Sequence, residues 1–242
     1  MSGAPNHPLH APSNGILAAL VPSDREGLLR RMERCALDYR QMLLDANEPV
    51  RHVYFPLSGV ISLLIATTNG ATLEVAMVGN EGMVGLPALF GGGSAPISAV
   101  VQVPGEALRM NALAFRDEVE SYGPLVRRLH LHAQALLFQF AQSAACTHHH
   151  SVGQRCARWL LTAFDRVGDD EFALTQEALA HMLGVRRASV SASAAKLQET
   201  GLIRYRRGYV TIVDRVALEA ASCECYRIVK AEYDRLLGHA RD

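Results

Sequence analysis

LTQEALAHMLGVRRASVSASAAKLQETGLIRYRRGYVTIV, residues 174–213, reads as two short helices joined by a tight turn and followed by a basic β-hairpin. Thr175 is an N-cap residue type ahead of a helix that sets Leu179, Met182 and Leu183 on one face and stops at Gly184. In the second helix Val190, Ala194 and Leu197 recur at i, i+4 and i+7 and turn inward. That leaves Ala188, Ser191, Ala192 and Ala195 outward, a row small enough to enter a major groove. Residues 202–205 and 209–213 are short β-rich runs, separated by Arg206, Arg207 and Gly208 at the turn. Two amphipathic helices occur in any helical bundle, but followed by a basic hairpin they point to DNA.

Charge supports this. Between 186 and 207, Arg186, Arg187, Lys196, Arg204, Arg206 and Arg207 stand against Glu199 alone, a net +5, whereas the whole chain has 24 basic and 24 acidic residues. Positive charge is gathered where a polyanion would lie, and the neutral total argues against nonspecific coating of DNA. The DNA-binding candidates are Thr175, Gln176, Arg186, Arg187, Ser189, Ser191, Lys196, Arg204, Arg206 and Arg207. An alternative reading is a small-molecule sensor or protein scaffold whose basic hairpin does not read DNA.

A length of 242 residues with 49% hydrophobic content allows two ordinary cores. No run approaches the ~20 apolar residues that cross a bilayer, and MSGAPNHPLHAPSNG has no hydrophobic signal core, so a cytoplasmic location without membrane contact is expected. Cys35, Cys146, Cys156, Cys223 and Cys225 are odd in number and scattered, which fits free thiols in a reducing compartment. No G-x-S-x-G elbow, H-E-x-x-H pair or P-loop occurs, so no enzyme and no catalytic residue is expected.

Residues 1–14 mix Pro, His, Ser, Asn and Gly and read as a flexible arm. A helical pattern is expected over 16–44. From about 48 to 110 the chain changes to strand-like runs, VRHVYFPL, GVISLLIATT, TLEVAMVG, SAVVQVP and EALRM, divided by Ser58-Gly59, Asn69-Gly70, Gly79-Asn80 and Pro104-Gly105. The fold class is therefore α+β, with an N-terminal antiparallel β-roll or barrel. A short helix over 111–122 follows, then a long one from Pro124 to about 150. Leu125, Leu129, Ala133, Leu136, Phe140 and Ala144 lie along it near a 3.5-residue repeat; the helix either packs on its own barrel or forms a two-fold seam, and the seam is the favoured expectation. A helix over 151–167 would enter the C-terminal domain, with Gly153 as a hinge or a close packing contact.

The order of barrel, long helix, connecting helix, helix-turn-helix and wing resembles the Crp-Fnr family of bacterial transcription regulators over most of 15–213. HVYFPLSGVISLL looks like the family's first barrel hairpin, EGMVGLPALFGG like its Gly-rich nucleotide-phosphate segment, and SVGQRCARWLL like the entry to its winged-helix domain. The resemblance implies a cyclic-nucleotide-binding-like sensor over 15–122, a dimerisation helix over 123–150 and a winged helix-turn-helix over 151–242. It also implies a homodimer on a palindromic promoter, with double-stranded DNA and RNA polymerase as partners. Effector-pocket candidates are Gly82, Val84, Gly85, Leu86, Ser94, Ile97, Ser98 and Phe140; the dimer-helix candidates are Leu129, Ala133, Leu136, Phe140 and Ala144.

The sequence departs from the family in the pocket. Cyclic nucleotide binders carry a Gly-Glu pair for the ribose and an Arg-Ser or Arg-Thr pair for the phosphate. Here Gly85-Leu86 and Ser94-Ala95-Pro96-Ile97-Ser98 stand instead, so control by cyclic AMP in the usual mode is not expected. Of the family's base-reading set, matching on Gly184 retains only Arg187, with Ala188 and Ala192 at the other two positions. No cofactor is expected, because Cys35 alone cannot replace the four thiolates of the family's iron-sulfur members. No metal site is expected either. Cys223-x-Cys225 is open to metal binding or a redox pair but is expected to be two inert surface thiols, and His148, His149 and His150 a solvated, conceivably pH-sensitive helix end.

Overall fold

Ser98–Val103 buries every second residue, the mark of a strand with one face on a core, and the runs around it fold the same way. The computed structural model describes residues 13–68, 70–120, 123–168 and 171–238. The expected arm therefore lies outside it except for Ser13 and Asn14, and Asn14 is not loose. Its buried side chain caps helix α1 (Gly15–Ala18) and donates to the Pro56 and Gly82 carbonyls at 3.0 and 2.7 Å.

Seven strands form the N-terminal roll: β1 (Glu33–Leu37), β2 (Met42–Leu44), β3 (His52–Pro56), β4 (Val60–Ala66), β5 (Thr72–Val78), β6 (Ser98–Val103) and β7 (Gly105–Asn111). They pair antiparallel in two sheets, ordered β1-β7-β3 and β2-β6-β4-β5. The five expected strands are present, but the helical pattern expected over 16–44 holds only for α1 and α2 (Pro22–Leu29). Residues 33–37 and 42–44 are strand because β1 pairs with β7 and β2 with β6, and these tertiary pairings override the helix preference of Glu, Arg, Ala, Leu and Met. Helix α3 (Ala112–Glu120) buries Ala112 and Phe115 under the roll.

Helix α4 (Pro124–His149) leans along the roll. Leu129 and Leu136, expected on a dimer seam, instead point into the roll's own cores and are 0% and 3% exposed. Helix α5 (Val152–Val167) starts at Ser151, whose capping box with Gln154 makes a clean break from α4. A Cβ at Gly153 would meet nothing nearer than Ser193 Oγ at 4.0 Å, so close packing does not require that glycine. Strand β8 (Glu171–Ala173), helices α6 (Gln176–Leu183) and α7 (Arg187–Glu199), and strands β9 (Ile203–Arg206) and β10 (Tyr209–Ile212) build the winged helix-turn-helix, with sheet order β8-β10-β9. Helices α8 (Arg215–Ala221) and α9 (Cys225–Leu237) close the chain. Val229, Tyr233 and Leu236 of α9 pack on Ala135 of α4.

One hydrophobic core crosses between the halves, joining Val60, Met77 and Val103 of the roll to Trp159, Phe172, Leu179 and Val190. No described helix is long and apolar enough to cross a membrane.

Candidate DNA interface and effector site

Gly184 at φ 63° ends α6 in the left-handed region, and three residues later α7 begins. Val190, Ala194 and Leu197 are buried, while Arg186, Arg187, Ala188, Ala192, Ala195 and Lys196 are exposed, so the outward row is the one the periodicity gives; Ser191 is only half-exposed. Ser191 donates to Gln176 Oε1 at 2.6 Å, so both serve first to brace the two helices. Thr175 is the cap of α6, accepting from Ala178 N at 3.1 Å. Ser189 is half-buried at the start of α7.

The wing turns on two residues, Arg207 at φ 52° and Gly208 at φ 83°, the paired positive φ of a tight two-residue hairpin. Arg206 therefore belongs to β9 and not to the turn. Arg204 and Arg206 are exposed two apart on one face of β9. Gln198 accepts from Tyr205 N at 2.7 Å, which ties wing to recognition helix. Arg186, Arg187, Arg204, Arg206 and Arg207 form no ion pair among the described residues, and Lys196 lies 3.9 Å from Glu199. This face carries uncompensated positive charge suited to phosphate.

A cavity of about 310 Å³ opens between the roll and α4. Of the expected pocket residues, Val84, Gly85, Leu86, Ser94, Ile97 and Phe140 line it, together with Met83, Phe90, Ala133, Leu136 and Leu137. Among the described residues, Ser94 has the one polar side chain in its wall, and no charged residue lines it. Gly82 and Ser98 lie elsewhere. A Cβ at Gly82 would overlap the ring of His132, a wholly buried histidine on α4 whose Nε2 sits 3.2 Å from Met83 N, and Ser98 pairs with Leu64 inside the sheet. Burial pulls the His132 pKa below its ordinary value. Gly85 takes φ 112°, and a Cβ there would lie 2.8 Å from Val53 Cγ1, so the backbone passes where only glycine fits.

Cys146, Cys223, Cys225 and His150 form a further cluster. The two thiols expected on the surface are buried, 2% and 0% exposed, because the chain just before α9 folds against the end of α4. His150 separates from His148 and His149, which remain exposed. Sequence reasoning missed this set; the available signal was Cys-x3-His at the end of one helix with Cys-x-Cys downstream.

Residues 36–122 match the family model described as a cyclic nucleotide-binding domain, and residues 154–221 match the Crp-like helix-turn-helix domain. Among solved structures, FixK2 from Bradyrhizobium japonicum is similar at TM-score 0.68 and 15% identity, covering 79% of this chain and 98% of its own. A regulator of the crp/fnr family from Eubacterium rectale gives TM-score 0.65 at 17% identity, covering 85% and 96%. The c-di-GMP responsive global regulator CLP of Xanthomonas campestris gives 0.62 at 17%, covering 77% and 96%. No curated protein matches the chain.

Proposed function

Because the chain belongs to the Crp/Fnr family of DNA-binding transcriptional regulators, we propose that it binds a palindromic promoter site as a homodimer and answers to an uncharged, largely apolar small molecule. It is a regulator and not an enzyme. The two halves of this reading meet in α4, whose geometry carries it. One face of the helix closes the cavity with Ala133, Leu136 and Phe140. The neighbouring face leaves Arg127, His130, Gln134, Leu137, Ala141, Ala144 and His148 exposed, at alternating spacings of three and four. That is the spacing of a coiled-coil seam, apolar at Leu137, Ala141 and Ala144, and no other described element covers it. The seam therefore runs through Leu137, 65% exposed, and Ala144 rather than through Leu129 and Leu136.

Leu137 also lines the cavity mouth, so a ligand there would touch the residue that meets the second subunit. A cyclic nucleotide is a poor fit: its phosphate would enter a wall with no cation, and an unpaired buried charge is strongly disfavoured. On this reading residues 15–122 sense, 123–150 dimerise and 151–242 read the promoter in the cytoplasm beside RNA polymerase.

Binding-site selection and sedimentation on the full chain test this directly. A two-fold symmetric motif bound by a dimer, with affinity unmoved by saturating cyclic AMP, is expected. A single asymmetric half-site bound by a monomer, or a gain in affinity with cyclic AMP, would overturn it.

A further inference from the structure

Four side chains from separate stretches converge where α4 ends. Cys146 lies in its last turn, His150 is its C-cap, Cys223 precedes α9 and Cys225 opens it; their ligating atoms all lie within 4.8 Å of one another. Cys146 Sγ is 3.6 Å from Cys223 Sγ, and Cys225 Sγ is 3.6 Å from His150 Nδ1. In a tetrahedron with bonds of about 2.3 Å to sulfur and about 2.0 to 2.1 Å to nitrogen, sulfurs stand roughly 3.8 Å apart and sulfur and nitrogen roughly 3.6 Å. These two separations are thus close to edges of a zinc coordination polyhedron.

The surroundings fit the same chemistry. His150 Nε2, the nitrogen facing away from the thiols, lies 3.2 Å from the Glu224 carboxylate. A carboxylate at that position holds the proton on Nε2 and leaves the Nδ1 lone pair for a metal. Gln142 Nε2 donates to Cys225 Sγ at 3.1 Å, orienting a third ligand. Cys146, Cys223 and Cys225 are at most 2% exposed, which suits a closed four-ligand site with no open position.

We propose that Cys146, His150, Cys223 and Cys225 bind one thiophilic divalent cation, with zinc favoured by ligand softness and tetrahedral spacing. Binding releases the thiol protons to solvent and leaves three thiolates and a neutral imidazole around the ion. The ion would fasten the start of α9 to the end of α4, beside the Ser151 cap at which α5 begins. Metal loading would thus set how firmly the DNA-binding half is held against the long helix, whatever occupies the effector cavity.

The reduced, chelator-treated full chain can be titrated with Co2+ and then Zn2+. One Co2+ per chain is expected, with thiolate-to-cobalt charge transfer and the intense visible bands of a tetrahedral site, displaced by one equivalent of Zn2+. Cys223→Ser and His150→Ala should weaken the spectrum, and Cys35→Ser should leave it intact. Because losing a buried thiol can unfold the region, Glu224→Gln provides the second variant: Glu224 is 67% exposed, and removing such an outer carboxylate should lower affinity about 10- to 100-fold with Trp159 fluorescence unchanged. A folded, reduced chain without the charge-transfer band would overturn the proposal. So would a band of unchanged affinity in Cys223→Ser, or an unchanged affinity in Glu224→Gln.

Discussion

Arg187 and Arg206 are both exposed arginines within one basic face, with no ion pair among the described residues, yet their positions assign them different work. Arg187 opens the recognition helix, where a guanidinium can fork onto guanine O6 and N7. Arg206 sits at the end of β9 in the wing, placed to meet phosphate. Arg187→Ala should therefore relax preference at one base pair, at about 1 to 3 kcal/mol, whereas Arg206→Ala should weaken all sequences alike and reduce the salt slope by about one. Selected motifs and salt titrations of the two variants read this; identical motifs and identical slopes would refute the division. Other residues named from sequence carry structural roles, since Thr175 caps α6 and Gly82 makes room for His132.

Among the elements, α4 holds the largest reinterpretation. Its apolar residues are numerous enough to suggest a seam, but Leu125, Leu129 and Leu136 supply the roll's cores, and Ala135 receives α9. Period alone could not tell these faces apart, because an amphipathic helix shows the same repeat toward its own domain as toward a partner. Leu129→Ala should cost about 2 to 5 kcal/mol of folding stability through the cavity it leaves. Leu137→Glu should keep the folded chain and its Tm but shift it to monomer in sedimentation, with loss of DNA affinity. A stable dimer in Leu137→Glu would move the seam elsewhere. In the same way β1 and β2 were illegible because their identity comes from pairing with β7 and β6, whereas β6, a β-rich run closed by Pro104-Gly105, could be read directly.

At the level of the whole molecule, the DNA-binding half is docked on the β2-β6-β4-β5 sheet of the roll. Glu74 of β5 accepts from Ser62 and from Trp159 Nε1 at 2.9 Å, and Met182 Sδ approaches Ser62 Oγ at 3.7 Å. A second tie runs from Glu81 to Arg166 at 2.9 Å, and Arg166 stacks on Tyr233. Burial raises the Glu74 carboxyl to about 7, against the opposing pull of its hydrogen bonds and of Arg158 and Arg166. A carboxyl raised in the docked state stabilises docking fully below its ordinary value near 4.5 and loses that contribution as pH rises through about 7. Fluorescence of Trp159, the one tryptophan, should report loosening across that window, and Glu74→Gln should remove the dependence while keeping an acceptor for the indole. An identical pH profile in Glu74→Gln would dismiss the latch.

By itself the sequence determined the helix-turn-helix, the wing, the central strands and the lost phosphate contacts. Each is a local matter of period, turn residue or missing charge, and local rules are written in neighbouring residues. Tertiary structure alone decided which face of α4 is bare, how the cavity beside α4 closes, and that Cys146 and His150 meet Cys223 and Cys225 across more than seventy residues of chain. Those outcomes depend on which surfaces bury one another, and no window along the chain contains both sides of such a contact.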